Sequence, residues 1–215
     1  EYLARRSDLG AAEVNRRFVT EAGIATFLVD TGLVPDRLTS PQELAAIAGG
    51  TSHEVIRLEA VAEAALDAGI APKRFADHFE ELLRTSRAVA FKSIAAYRVG
   101  LGLPAAPPTR SQLVAALREV GPDGSGHHRI AHPVVNAWLA WVAIDAGRPL
   151  QFHVGYGDSD LDLLECDPLR LTAFLRATQE RGVPVLLLHN WPYHRQAAYL
   201  AQVFDHVFMD LGLAT

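Results

Sequence analysis

The chain has 215 residues, 49% hydrophobic and 21% charged, ordinary for a globular domain large enough to bury a core. A formal net charge of −5, with no basic stripe and no basic-aromatic interleaving, argues against nucleic acid as a partner. A single cysteine, Cys166, excludes an intrachain disulfide and leads us to expect a reducing, cytoplasmic setting. No apolar run approaches the length of a bilayer span, and Glu1–Arg6 does not read as a signal peptide, so no membrane partner is expected.

Helical and strand-like segments alternate along the chain. Gly10–Ala22 reads as an amphipathic helix, followed by an apolar run, Ile24–Asp30. Ser40–Glu43 is a capping box with proline at the first helical position, opening a helix to Ala48. Val55–Glu59 is the next strand candidate. Lys73–Arg87 carries Phe75, Phe79, Leu82 and Leu83 on one helical face, and Ala88–Lys92 follows as a strand. Ser111–Val120 and the strongly apolar Pro133–Ala146 are two helices in succession. Pro149–His153 is a strand, Leu169–Glu180 a helix, Pro184–His189 a strand, Pro192–Phe204 a helix, and Val207–Asp210 the last strand.

Alternation of this kind means a parallel sheet with right-handed crossovers. Asp30–Pro35, after the first strand, has no Gly-rich phosphate turn of the sort an open dinucleotide-binding sheet carries. All six strand candidates end at a polar or ionisable residue, a pattern suited to a barrel whose site draws on many strands. The expected fold is therefore α/β, of the (β/α)8 TIM-barrel type, with six of its eight strands in this chain. A complete barrel takes about 250 residues, so residues 1–215 are expected to be one partial barrel domain, short by about one unit at each end.

Two of the strands, Pro149–His153 and Pro184–His189, stop at a histidine. A histidine at a strand's C-terminal end sits where parallel α/β folds gather ligands and catalytic groups. Neutral imidazole is a good ligand for zinc and similar metals, and it also serves as a core side chain bonded to a backbone carbonyl.

Several longer segments together resemble a known family. Glu1–Arg5, Phe91–Arg98, Pro149–Asp158, Leu186–Tyr193 and Asp210–Leu213 are similar to the amidohydrolase superfamily. The resemblance is to its amidohydrolase-related branch, which includes the N-terminal domain of glutamine-synthetase-like fusion proteins. That family is an eight-stranded barrel with a metal site. Its ligands are a His-x-His pair on strand one, a histidine on strand five, often one on strand six, and an aspartate on strand eight. The resemblance places His153 in the strand-five role and His189 in the strand-six role. It implies that this chain holds strands two to seven, since no His-x-His occurs in it. With one metal, His153 is a ligand and His189 orients or deprotonates the attacking water; with two, both are ligands. The implied cofactor is a divalent metal, zinc first, with manganese or iron as alternatives.

Other candidates surround this pair. Lys92 ends a strand, and carbamylation, substrate-carboxylate binding and a structural ion pair all remain open for it. Arg57 and Glu59, two apart on one presumptive strand, would share a face, and either contact substrate or pair with Lys92 or Arg98. Asp158 follows His153 in a Gly-rich turn and is a candidate catalytic group. The neighbouring Asp160 and Asp162 suggest a calcium loop, which Leu163 and Leu169 at its sixth and twelfth positions argue against. His194 and Arg195 open a helix and are candidates for an anion clamp or plain surface residues. His127 and His128 read as solvated loop residues, and Cys166 has no base pattern beside it.

The resulting expectation is a metal-dependent hydrolase cleaving a C–N or related bond of a small, carboxylate-bearing substrate. The alternatives are a non-oxidative decarboxylase on the same metal frame, and a non-catalytic barrel remnant acting as an interaction domain. Self-association as a homo-oligomer stays open.

Overall fold

The computed structural model of the protein describes residues 1–33 and 39–212, apart from the side chain of Tyr2. Val34 and Pro35 of the turn after the first strand, and Leu213 of the last similar segment, lie outside the described residues. The chain divides into two compact units, Glu1–Val55 and Ile56–Thr215.

The first unit holds a long helix, α1 (Tyr2–Glu21), that breaks at Gly10, where φ is 74°. Next come β1 (Thr26–Asp30), α2 (Pro41–Ala48) and most of β2 (Thr51–Arg57). The capping box read from the sequence forms. Ser40 Oγ accepts the amide of Glu43 at 3.2 Å, and Glu43 Oε2 accepts the amide of Ser40 at 2.9 Å. β1 and β2 pair in parallel, from Thr26 against Thr51 to Asp30 against Val55.

The second unit carries the remaining elements. α3 (Leu58–Asp67) and α4 (Pro72–Thr85) precede β3 (Ala90–Ser93), and α5 (Arg110–Leu117) and α6 (Pro133–Asp145) precede β4 (Leu150–His153). Then follow α7 (Thr172–Thr178), β5 (Val185–Leu188), α8 (His194–Val203) and β6 (Val207–Met209). β3 pairs with β4, β4 with β5 and β5 with β6, all in parallel and in chain order.

Successive strand residues face opposite sides of the sheet. Phe91, Leu150, Phe152, Val185, Leu187 and Val207 are buried beneath the helices. Phe152 meets Phe174 edge-on with ring centroids 5.8 Å apart, and Phe174 meets Trp141 at 5.3 Å. α6 is buried nearly all round, as an apolar helix with no polar stripe must be. Lys92, Gln151, His153, Leu186 and Leu188 have the alternate parity and share the other face. That face holds Lys92 and His153, two of the candidate site residues.

Two expectations need correction. The strand expected at 55–59 runs from Thr51 to Arg57, and Leu58 begins α3. Arg57 and Glu59 therefore do not share a strand face; Glu59 lies in the first turn of a helix. The sequence reading also lacks α3 itself. Its alanine-rich stretch Ala60–Ala65, with Leu58 and Leu66 buried, favours helix over a strand continuing past Arg57. Among the described residues, no helix is long and apolar enough to cross a membrane.

Candidate active site

His153 is the last residue of β4 and only 6% exposed. Leu188, the last residue of β5, is its register partner, so His189 follows one step beyond the strand. The two imidazoles lie against each other, with ring centroids 4.9 Å apart and planes inclined by 54°. Nε2 of His153 and Nδ1 of His189 are buried and have no hydrogen-bond partner. Buried polar nitrogens are normally satisfied, and two orphans side by side point to a group that both could bind.

The backbone at this point is unusual. His189 has φ of 65°, a left-handed conformation that costs a side-chain-bearing residue about 1–2 kcal/mol. Bonds on both sides hold it there. Its amide donates to Asp210 Oδ1 at 2.8 Å, and its carbonyl accepts the amide of Tyr156 at 3.2 Å. Asn190 Nδ2 donates to the carbonyls of Leu187 at 2.7 Å and Asp210 at 2.8 Å, tying the end of β5 to the end of β6. The loop after β4 comes close to this turn. A Cβ at Gly155 would lie 2.6 Å from the carbonyl oxygen of Trp191 and 2.9 Å from that of His189, so only glycine fits.

Electrostatics favours neutral imidazoles. Burial pushes His153 down to about 4, with help from the positive charge shared with His189 and Lys92; a backbone hydrogen bond at Tyr156 opposes this. Burial also lowers His189, followed by Lys92, against the opposing pull of Asp210. Both rings therefore present lone pairs near neutral pH, which is the form a metal binds. Lys92 is half-buried on the same sheet face as His153, and its charge reaches both histidines. Arg57, half-buried at the end of β2, also acts on His153.

The remaining candidates sit elsewhere. Glu59 is fully buried, where it accepts Ser93 Oγ at 2.7 Å, the amide of Ile94 at 3.1 Å and Asn136 Nδ2 at 3.4 Å. These bonds anchor the chain as it leaves β3. Arg98 pairs with Glu63 at 3.1 Å, its side chain 8% exposed. Asp158 is exposed, and its amide donates to Tyr97 Oη at 3.2 Å. His194 and Arg195 are exposed at the start of α8. The structure thus joins His153 and His189 with the charges of Lys92 and Arg57. It puts Glu59 and Arg98 in bonds to Ser93 and Glu63.

Sequence reasoning passed over Tyr97, whose ring lies 4.6 Å from that of His153, centroid to centroid. Tyr97 falls inside the similar segment Phe91–Arg98, but no local spacing marks it. It reaches His153 from a single 3-10 turn, Ala95–Tyr97, beyond β3. His127 and His128, expected to be solvated, both bond to Asp67 through Nδ1, at 3.0 and 2.7 Å.

Among the described residues, no group of three or more His, Cys, Asp or Glu side chains could hold a metal ion. The pair of orphaned nitrogens does fit a metal, as two ligands of a larger set.

No family model matches the chain. Among solved structures, the "putative metal-dependent hydrolase" of Lactobacillus casei ATCC 334 has a TM-score of 0.79 and 33% sequence identity, over 95% of this chain and 55% of its own. The chain is thus similar over nearly its whole length to a protein described as a metal-dependent hydrolase. Its α/β architecture of parallel strands and helices is of the TIM-barrel type. Protein fluG of Emericella nidulans is 32% identical over 136 residues, which are 58% of this chain and 16% of that protein. This match fits the similarity to glutamine-synthetase-like fusion proteins. The chain spans about half the length of the Lactobacillus casei protein and a small part of fluG.

Proposed function

We propose that this chain is the part of a metal-dependent hydrolase that supplies His153 and His189 to its metal site. One observation carries the reading: the buried imidazole of His153 and the half-buried imidazole of His189 stand with ring centroids 4.9 Å apart at the ends of adjacent parallel strands, each with a buried nitrogen lacking a partner. The name of the Lactobacillus casei relative supports it.

In this reading a divalent metal, zinc by the character of the ligands, would supply a water of lowered pKa and a Lewis acid for the scissile carbonyl. His153 would hold it through Nε2. His189 would be a second ligand, or would direct the attacking water and take its proton through Nδ1. Lys92 and Arg57 make the surroundings positive and favour a small substrate bearing a carboxylate. The bond cleaved is a C–N bond or one of similar chemistry. Asp158, His194 and Arg195 remain candidates at the rim, and Glu59 and Arg98 support the site from behind β3.

The test is a cobalt titration of the purified chain and of its His153→Ala and His189→Ala variants. Each substitution is expected to weaken binding at least tenfold and to alter the cobalt absorption spectrum. Equal binding by His153→Ala and the wild type would overturn the reading. A second reading, a non-catalytic barrel segment, is favoured by the lack of a third metal-capable side chain beside the pair among the described residues. It predicts that no variant changes a binding that is absent from the start.

A further inference from the structure

Tyr97 has no role in the reading above, yet it touches the site in two ways. Its ring packs on the imidazole of His153 at 4.6 Å between centroids and 53° between planes. Its hydroxyl accepts the amide hydrogen of Asp158, three residues beyond the turn at Gly155, at 3.2 Å. One side chain therefore contacts both His153 and the loop that leaves it.

The fit around Tyr97 is close. A Cβ at Gly157 would collide with Oη of Tyr97 and come within 2.9 Å of its Cζ and 2.8 Å of Leu161 Cδ1. Real side chains do not approach this closely, so the loop passes over the tyrosine only because residue 157 is glycine. The His153 ring also meets that of His189, at 4.9 Å between centroids. The imidazole thus packs against both Tyr97 and His189; a backbone hydrogen bond at Tyr156 engages the ring, and its Nε2 has no partner. Packing against Tyr97 holds the ring's plane, and the loop that Tyr97 fastens is the one that carries Tyr156.

We propose that Tyr97 is a positioning residue: its ring fixes the plane of the His153 imidazole, and its hydroxyl fastens the Gly155–Asp158 loop in the matching place. The inference rests on the metal-site reading for its consequence, since a ligand held in one orientation binds more tightly than a mobile one. Groups that orient metal ligands typically change affinity about tenfold to a hundredfold when removed. The inference does not rest on that reading for its geometry, which can be read without metal.

The first measurement uses metal-free protein near pH 7. Long-range proton–nitrogen correlation spectra report which ring nitrogen of His153 carries the proton. The wild type and Tyr97→Phe, which keeps the ring, are expected to show one tautomer. Tyr97→Leu is expected to show a mixture. Gly157→Ala, which pushes the tyrosine away, is expected to resemble Tyr97→Leu, and to add little when combined with it. A single wild-type tautomer in both Tyr97→Leu and Gly157→Ala overturns the proposal. Circular dichroism melts establish that each variant is folded; should Tyr97→Leu fail to fold, Gly157→Ala alone decides.

The second measurement is cobalt affinity. Tyr97→Phe is expected to stay within about threefold of the wild type, and Tyr97→Leu to fall by about tenfold to a hundredfold. If the wild type binds no cobalt while the tautomer result holds, the metal reading fails and the positioning role of Tyr97 stands. If the wild type binds cobalt and Tyr97→Leu binds it equally well with the same spectrum, the positioning role is wrong and the metal reading stands.

Discussion

The hydroxyl of Ser93 donates to Oε1 of Glu59 at 2.7 Å, joining the last residue of β3 to the first turn of α3 inside the protein. Glu59 is 0% exposed. Burial pushes its carboxyl above the ordinary range, against the bonds from Ser93 and Ile94 and the charge of Arg98. The carboxylate oxygens are the acceptors for three donors, so the residue organises the segment that leads from β3 to Tyr97.

Glu59→Ala should therefore be severe. It strands the Ser93 hydroxyl, the Ile94 amide and the Asn136 amide group, and leaves a cavity. We expect a loss of about 3–5 kcal/mol in urea unfolding. Glu59→Gln should be milder, about 1–3 kcal/mol, because one amide oxygen replaces two acceptors. An acid raised in the folded state favours folding at low pH and loses that contribution as pH rises through its folded value. The wild type's margin over Glu59→Gln should thus shrink as pH rises above about 4. A margin that grows with pH would contradict the assignment.

Asp67 gives the opposite sign. Its carboxylate accepts the His128 amide at 2.8 Å and bonds both His128 and His127, which hold it down at about 2. A depressed acid stabilises the fold above its unfolded value near about 4, and the contribution is lost as pH falls towards the folded value. Wild type and Asp67→Asn should differ in urea midpoint at pH 6 and converge as the pH is lowered from 4 towards 2. A difference independent of pH would show that the contact acts by packing alone.

The backbone of His189 supplies a third test. Glycine adopts its φ of 65° freely and alanine does not. His189→Gly should be more stable than His189→Ala by about 1 kcal/mol in thermal or urea unfolding. The reverse order is normal for most positions, where glycine is the costlier residue, so finding it here would remove the left-handed turn from the account.

Arg98 and Glu63 form a pair with side chains 8% and 18% exposed. Nε and Nη1 of Arg98 are buried without partners, so Glu63 is the counter-ion on which it depends. Glu63→Gln should cost about 3–5 kcal/mol, the usual cost of leaving a buried charge alone. Arg98→Met should then cost less in the Glu63→Gln background than in the wild type, by about 1–3 kcal/mol. Additive costs would mean the two side chains do not act on each other.

Much of the framework was legible in the chain. The strands ending at His153 and near His189 were marked by short apolar runs between proline and histidine, and they occur at 150–153 and 185–188. The Ser40 capping box and the apolar face of α4 were equally local signals. The strand expected at 55–59 failed because an apolar run cannot by itself distinguish a strand from the first turn of a buried helix. Glu59 was legible as a charged residue that needs partners, but not as one bonded to Ser93 and Asn136.

By itself, then, the sequence determined which residues alternate between strand and helix, and that two strands deliver histidines at the same end. Those follow from periodicity and from breakers within a few residues, which the chain carries locally. Only the tertiary structure decided that Tyr97 backs His153, that Glu63 claims Arg98, and that Asp210 holds His189 in a left-handed turn. Each of these contacts joins segments separated by at least twenty residues and depends on where the sheet and its loops bring them, which local spacing does not encode.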